Sequence, residues 1–233
     1  MMDKYRRQEL ENLAVEILRK YNIVDDAPGK HLNKIIEGEK IKLIPEYDWP
    51  FEYCGRFIRD EDEVTIIYNA NHSKEMQAFT FAHELGHYYL NHFDDSKEEN
   101  ICLSRDLGRL DDDDENKPKE VEANYFAACL LLPLVWVKHF FNRFMDSINL
   151  SGRLYVDIQE CNLEAYKQCI DYFKMYFFAT ETAIRYRLIG LGLMEFNLRY
   201  IPRKSGELQS ISELVEKLMV DLEKRTTEYY NNN

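Results

Sequence analysis

The sequence predicts an α+β fold: a small antiparallel sheet, a buried helix beside it, and a helical C-terminal region. Three observations predict it. Val64-Thr65-Ile66-Ile67-Tyr68 is almost wholly β-branched or aromatic, the composition of a strand. The stretch from Ser73 to Asn91 is apolar nearly all round at helical spacing, the mark of a helix inside its domain. From about Lys119 to Lys224 the pattern is mostly helical. The composition allows such a core, with 233 residues of which 45% are hydrophobic, and only 9 Gly and 6 Pro.

In chain order, Leu10, Leu13, Ala14, Ile17 and Tyr21 recur at three- to four-residue spacing and predict an amphipathic helix over 3–21. Asp25-Asp26-Ala27-Pro28-Gly29 reads as a turn. A short helix from His31 to Ile36 is ended by Gly38. Three strand signals follow, at Ile41 to Ile44, Tyr53 to Ile58 and Val64 to Tyr68. Asn71 or Ser73 caps the next helix, with Glu75 in its first turn to suit the dipole. From Asp94 to Lys119 the pattern is lost, and the acidic block Asp111-Asp112-Asp113-Asp114-Glu115 reads as solvated loop. A second core helix runs from Lys119 to Leu132, where Pro133 ends it. The last residues, 226–233, are expected to fray. Residues 1–150 are expected to form the first domain and 151–233 the helical C-terminal region, which could carry a helix-turn-helix.

Several classes are excluded by bulk properties. The net charge of -12 opposes binding to phosphate backbones, so direct DNA binding is not expected. The longest apolar stretch, Ala123 to Val137, falls short of the roughly 20 residues of a spanning helix and contains Pro133, so no membrane partner is expected. Met1 to Glu11 is charged and lacks the apolar run of a secretory peptide. The five cysteines include no C-x-x-C pair, which fits a reducing cytoplasm and buried structural thiols.

One motif carries chemistry. His83-Glu84-Leu85-Gly86-His87 places two imidazoles at i and i+4, one turn apart on one face of a helix. Two such nitrogens can bind one zinc ion, and Glu84 beside them can act as general base. Buried and unpaired, each of these groups would cost several kcal/mol. A catalytic zinc takes three protein ligands and keeps one open position. The helix after the acidic block offers Glu120 and Asn124, also i and i+4, so Glu120 can bind the metal while Asn124 hydrogen-bonds a histidine from behind. Glu122 is the alternative third ligand, but it points about 160° away around the helix. Tyr88, Tyr125, His92 and His139 are candidates for stabilising an oxyanion, each with a structural role as the alternative.

Two blocks make the sequence recognisable. Phe79-Thr80-Phe81-Ala82-His83-Glu84-Leu85-Gly86-His87 is followed by Glu120-Val121-Glu122-Ala123-Asn124-Tyr125-Phe126-Ala127-Ala128-Cys129-Leu130-Leu131-Leu132-Pro133. In that order they resemble the ImmA/IrrE family of bacterial metallopeptidases. The resemblance implies a zincin-like core, zinc held by His83, His87 and Glu120, and Glu84 as base. It also implies a specific protein substrate: family members typically cut a repressor carrying a helix-turn-helix domain. A second reading makes the chain a non-enzymatic, zinc-containing docking or regulatory module of a toxin-antitoxin or mobile-element system. A third has the C-terminal helices bind DNA, using a local excess of Lys167, Lys174, Arg185, Arg187, Arg199, Arg203 and Lys204.

Overall fold

The computed structural model describes residues 2–24, 27–60, 63–92, 101–103, 118–157 and 159–196. The acidic block at 111–115, the Asp25-Asp26 pair and everything beyond 196 lie outside the described residues. The fold is α+β, as the sequence pattern predicts.

Helix α1 (Lys4–Lys20) starts where Asp3 Oδ1 accepts from the Arg6 amide at 2.7 Å. It buries Leu10, Ala14, Ile17 and Leu18, and with them Glu11. The short α2 (Leu32–Gly38) leads into three strands, β1 (Lys42–Glu46), β2 (Tyr53–Asp60) and β3 (Glu63–Asn69). Helix α3 (Lys74–Tyr89) is capped by Ser73, whose Oγ accepts from the Met76 amide at 3.2 Å. Beyond it lie β4 (Ile101–Leu103), α4 (Pro118–Leu131) and α5 (Leu134–Ser147). Pro118 stands at the first helical position, where a missing N–H costs nothing. Pro133 divides α4 from α5, and the two axes diverge by 61°. No single described helix is long and apolar enough to cross a membrane.

The sheet is mixed, not antiparallel. Its order is β1-β3-β2-β4: β2 pairs antiparallel with β3 and β4, whereas β1 pairs parallel with β3. Alternating residue patterns fix which face a strand buries but not its direction, so three closely spaced strands read as a meander. Pro45 lies inside β1, which an edge strand tolerates. The short β4 extends the sheet on its other edge, in a stretch where the sequence carries no strand pattern.

The C-terminal part is not purely helical. Helices α6 (Glu160–Tyr176) and α7 (Glu181–Gly190) are bracketed by β5 (Leu154–Val156) and β6 (Met194–Phe196), which form a two-stranded parallel sheet. Three-residue strands are too short to show a period of two. The described residues on both sides of position 150 share one hydrophobic cluster, including Phe126, Phe141, Leu154, Phe173 and Met194. Of the basic residues read as a positive face, Arg185 is buried, and Arg187 is almost fully so. Lys174 pairs with Glu181 at 3.5 Å, while Arg199, Arg203 and Lys204 lie outside the described residues. Arg187 instead crosses the core: Nη1 and Nη2 donate to Glu11 Oε1 and Oε2 at 2.6 and 2.7 Å, and Nε donates to the Leu132 carbonyl at 3.0 Å.

Helix α3 is the centre of the arrangement, with β2 and β3 on one side and α4 on the other. Gly86 sets its distance from α4. A Cβ there would stand 3.0 Å from Ala123 Cα and 3.1 Å from Ala123 O, closer than side chains normally come to backbone. Two small residues thus let two helices approach within reach of one another's short side chains.

Candidate metal centre

The two histidines of α3 meet as their spacing requires. Their rings are 4.7 Å apart between centroids, and His83 Nε2 lies 3.0 Å from His87 Nε2. Glu120 reaches across from the first turn of α4. Its Oε2 is 3.2 Å from His83 Nε2 and its Oε1 is 3.3 Å from His87 Nε2. One ligand atom from each of the three residues lies within 4.8 Å of the others. Two donors bound tetrahedrally to one zinc, each about 2.0–2.1 Å from it, stand about 3.3 Å apart. The triangle of donor atoms therefore has the size that a zinc ion needs.

Asn124 lies one turn after Glu120, and its Oδ1 is 3.0 Å from His83 Nδ1. An amide oxygen only accepts, so Nδ1 carries the hydrogen and Nε2 turns its lone pair toward the cluster. Burial works against ionising Glu120, but its close contacts with the two imidazoles outweigh it and hold its carboxyl well below the usual carboxylate range. Its side chain keeps 25% of its exposure, so the cluster opens to the surface on that side.

Glu84 points into the same region. It is 2% exposed, and its Oε1 has no hydrogen-bond partner within the protein. Burial pushes its carboxyl up from the ordinary value, with the neighbouring Glu120 adding to the shift and the two histidines opposing it. A carboxylate kept dry and unpaired beside two imidazoles suits a group that exchanges a proton with whatever occupies the cluster.

A family model of IrrE N-terminal-like domains, a family of peptidases, matches residues 55–188. The chain belongs to this family. The comparison with curated proteins finds no match. The IrrE-like match takes in most of β2, all of α3 and α4 and most of α7, and with them His83, Glu84, His87, Glu120 and Asn124. Both α1 and β1 lie before it. Family membership supports a metallopeptidase type of function.

Other sequence candidates are placed elsewhere. Glu122 accepts from Arg6 Nε and Nη2 at 2.9 and 2.6 Å and lies 3.2 Å from His92 Nε2. It is committed to that cluster and stands apart from the Glu120 triangle. The hydroxyls of Tyr88 and Tyr125 donate to Glu39 and Glu11, at 3.1 and 3.2 Å, and His139 is exposed on α5. Among these four, His92 alone touches the cluster, its ring 5.3 Å from that of His87. Burial, with the neighbouring His87 ring acting in the same direction, lowers its pKa to about 4, keeping the ring neutral.

One residue of the site is invisible in the sequence pattern. A ligand atom from Cys102, on β4, lies within 4.8 Å of those of His83 and Glu84. Cys54, Cys129 and Cys169 are buried thiols as expected, whereas Cys161 is exposed.

Proposed function

We propose that this IrrE-like chain is a zinc-dependent endopeptidase that cuts a specific protein partner, a repressor carrying a helix-turn-helix domain. The observation that carries the catalytic reading is the convergence of His83, His87 and Glu120 beside the unpaired Glu84 carboxylate. His83, His87 and Glu120 would hold the ion, and Asn124 fixes the His83 ring in the tautomer that can do so. Zinc bound there supplies a Lewis acid for the scissile carbonyl and lowers the pKa of water. Glu84 then takes the proton from the attacking water and passes it to the leaving amine. A purely structural site would have no use for a dry, unpaired carboxylate at this position. The choice of a repressor as substrate is supported by the two sequence blocks that resemble the ImmA/IrrE family.

The test takes the full chain, zinc, and a helix-turn-helix repressor encoded by a neighbouring gene. Wild type is expected to cleave the repressor at one site, and Glu84→Gln to bind zinc equally well without cutting. Equal cleavage by Glu84→Gln would refute the mechanism. Cleavage of a generic peptide with the repressor left intact would refute the substrate and leave the mechanism standing.

A further inference from the structure

The stretch that joins β1 to β2 has a composition of its own. Pro45-Glu46-Tyr47-Asp48-Trp49-Pro50-Phe51-Glu52-Tyr53 holds four aromatic and three acidic residues in nine, and no basic one. Tyr47 and Phe51 are 64% and 69% exposed, with the exposed Asp48 and Glu52 beside them in sequence. The backbone beneath is nevertheless pinned. The Tyr47 carbonyl accepts from Asn71 Nδ2 at 2.7 Å, and the Phe51 carbonyl from His72 Nε2 at 2.7 Å. Asn69 Nδ2 donates to the carbonyls of Pro50 and Tyr53 at 3.1 and 2.9 Å. Asn69 and His72 are themselves buried. Buried polar side chains thus fix a loop whose large side chains face water. Aromatic groups on a fixed backbone lose little freedom when a partner covers them, which is what an interface anchor requires. The family match begins at residue 55, so this loop lies outside it.

We propose that Tyr47, Asp48, Phe51 and Glu52 form an exosite that docks the basic, DNA-binding face of the protein substrate. The inference rests on the reading of that substrate as a DNA-binding repressor. Charge decides the kind of partner. Asp48 and Glu52, on a chain of net charge -12, repel nucleic acid, anionic lipid and a second copy of the same surface, and attract Lys and Arg. An Arg guanidinium also stacks on the faces of Tyr and Phe rings. A face shaped to bind DNA supplies such cations in a cluster, because it is built to neutralise phosphates. Position decides what docking does. The loop is tied to Asn71 and His72, immediately before α3, and His83 lies nine residues beyond the start of that helix, roughly 14 Å along its axis. A folded protein held at the loop can extend another of its segments to the metal cluster, whereas a short peptide reaches only the cluster. The loop therefore selects the protein that is cut and leaves the chemistry to the residues of α3 and α4.

The test uses the full chain and the repressor encoded by a neighbouring gene. Binding is measured with Glu84→Gln, which leaves the bound repressor uncut, and cleavage with Glu84 intact. Two sets of substitutions at exposed side chains are added to each: Tyr47→Ala, and Asp48→Lys together with Glu52→Lys. Each set is expected to raise the Kd, and the KM for the repressor, about tenfold or more. The kcat, the zinc content and the cleavage of a short peptide spanning the cut site should stay as in wild type, a split that a merely structural role would not give. Added salt should narrow the gap between wild type and the charge reversal. Excess operator DNA should release the repressor, since both take the same face. Loop variants that bind and cut the repressor as wild type does overturn the exosite and leave the peptidase reading intact. A stable complex of the chain, the repressor and operator DNA overturns it as well. Weaker binding by the loop variants, with no cleavage by any form, supports the exosite and overturns the peptidase reading. A repressor that no form binds overturns both the exosite and the choice of substrate.

Discussion

Replacing Glu11 by alanine is expected to be the most damaging single substitution outside the metal cluster. The carboxylate accepts both terminal nitrogens of Arg187 at 2.6 and 2.7 Å and the Tyr125 hydroxyl at 3.2 Å. The two side chains retain 9% and 2% of their exposure, so water cannot replace the lost partner. Removing one member of a buried ion pair leaves the other uncompensated and typically costs about 3–5 kcal/mol. In urea, a slope of about 2–3 kcal/mol per M suits a chain of this size, so the midpoint should fall by about 1–2.5 M. The site itself is not touched, so zinc stoichiometry should hold at one while the variant is folded. The double substitution Glu11→Leu with Arg187→Met should recover most of the loss, since replacing both charges removes the unpaired group. A cost below about 1 kcal/mol for Glu11→Ala, against that 3–5 kcal/mol expectation, would refute the claim that this pair ties α1 and α7 across the core.

Three further predictions test the site and its frame. Glu120→Ala should lose zinc on dialysis while Glu122→Ala retains it, as read by metal analysis; the reverse result would reassign the third ligand. Gly86→Ala gains about 1 kcal/mol of helix propensity but must push α4 away, at about 1–3 kcal/mol of overpacking. It should therefore be destabilised by up to about 2 kcal/mol in chemical denaturation and bind zinc more weakly in a chelator competition; unchanged affinity would mean that the helix spacing does not set the donor distances. Glu39 accepts from Lys20, Tyr21, Tyr88 and Tyr89, and although burial opposes this, those partners lower its pKa to about 2. A depressed carboxyl stabilises the fold fully above its unfolded value near 4.5 and loses that contribution as pH falls toward 2. Wild type should therefore lose more stability than Glu39→Gln between pH 5 and pH 2, measured by thermal melts, and equal losses would show that the carboxylate is not held ionised.

What the sequence made legible follows from the range of each signal. Helices α1, α3 and α4 stand close to where their periodicity and caps put them, because those signals lie within a few residues of one another. The His83–His87 spacing is legible for the same reason, and so is the position of Glu120, rather than Glu122, beside the two histidines, since one helical turn decides which carboxylate shares a face with Asn124. Features set by distant partners were not legible. The direction of β1 depends on β3, and β4 exists because β2 offers it an edge. Arg187 reads as part of a positive surface until Glu11, 176 residues away in sequence, is found beside it. Cys102 carries no motif at all, and its place depends on the pairing with Gly55.

The glycines show why the site needs more than its ligands. Glutamate and histidine side chains are short, so Glu120 can share donors with His83 and His87 only if the backbones of α3 and α4 are very close. Gly86 against Ala123 supplies that closeness. On the opposite flank, Gly55 leaves the space that Glu84 fills. The H-E-x-x-H sequence thus fixes which face of α3 bears the chemistry, while two residues without side chains fix how near α4 and β2 stand to that face. A chain that kept all five residues from His83 to His87, Gly86 included, but carried a larger residue at 123 would be expected to keep its helices and lose the metal.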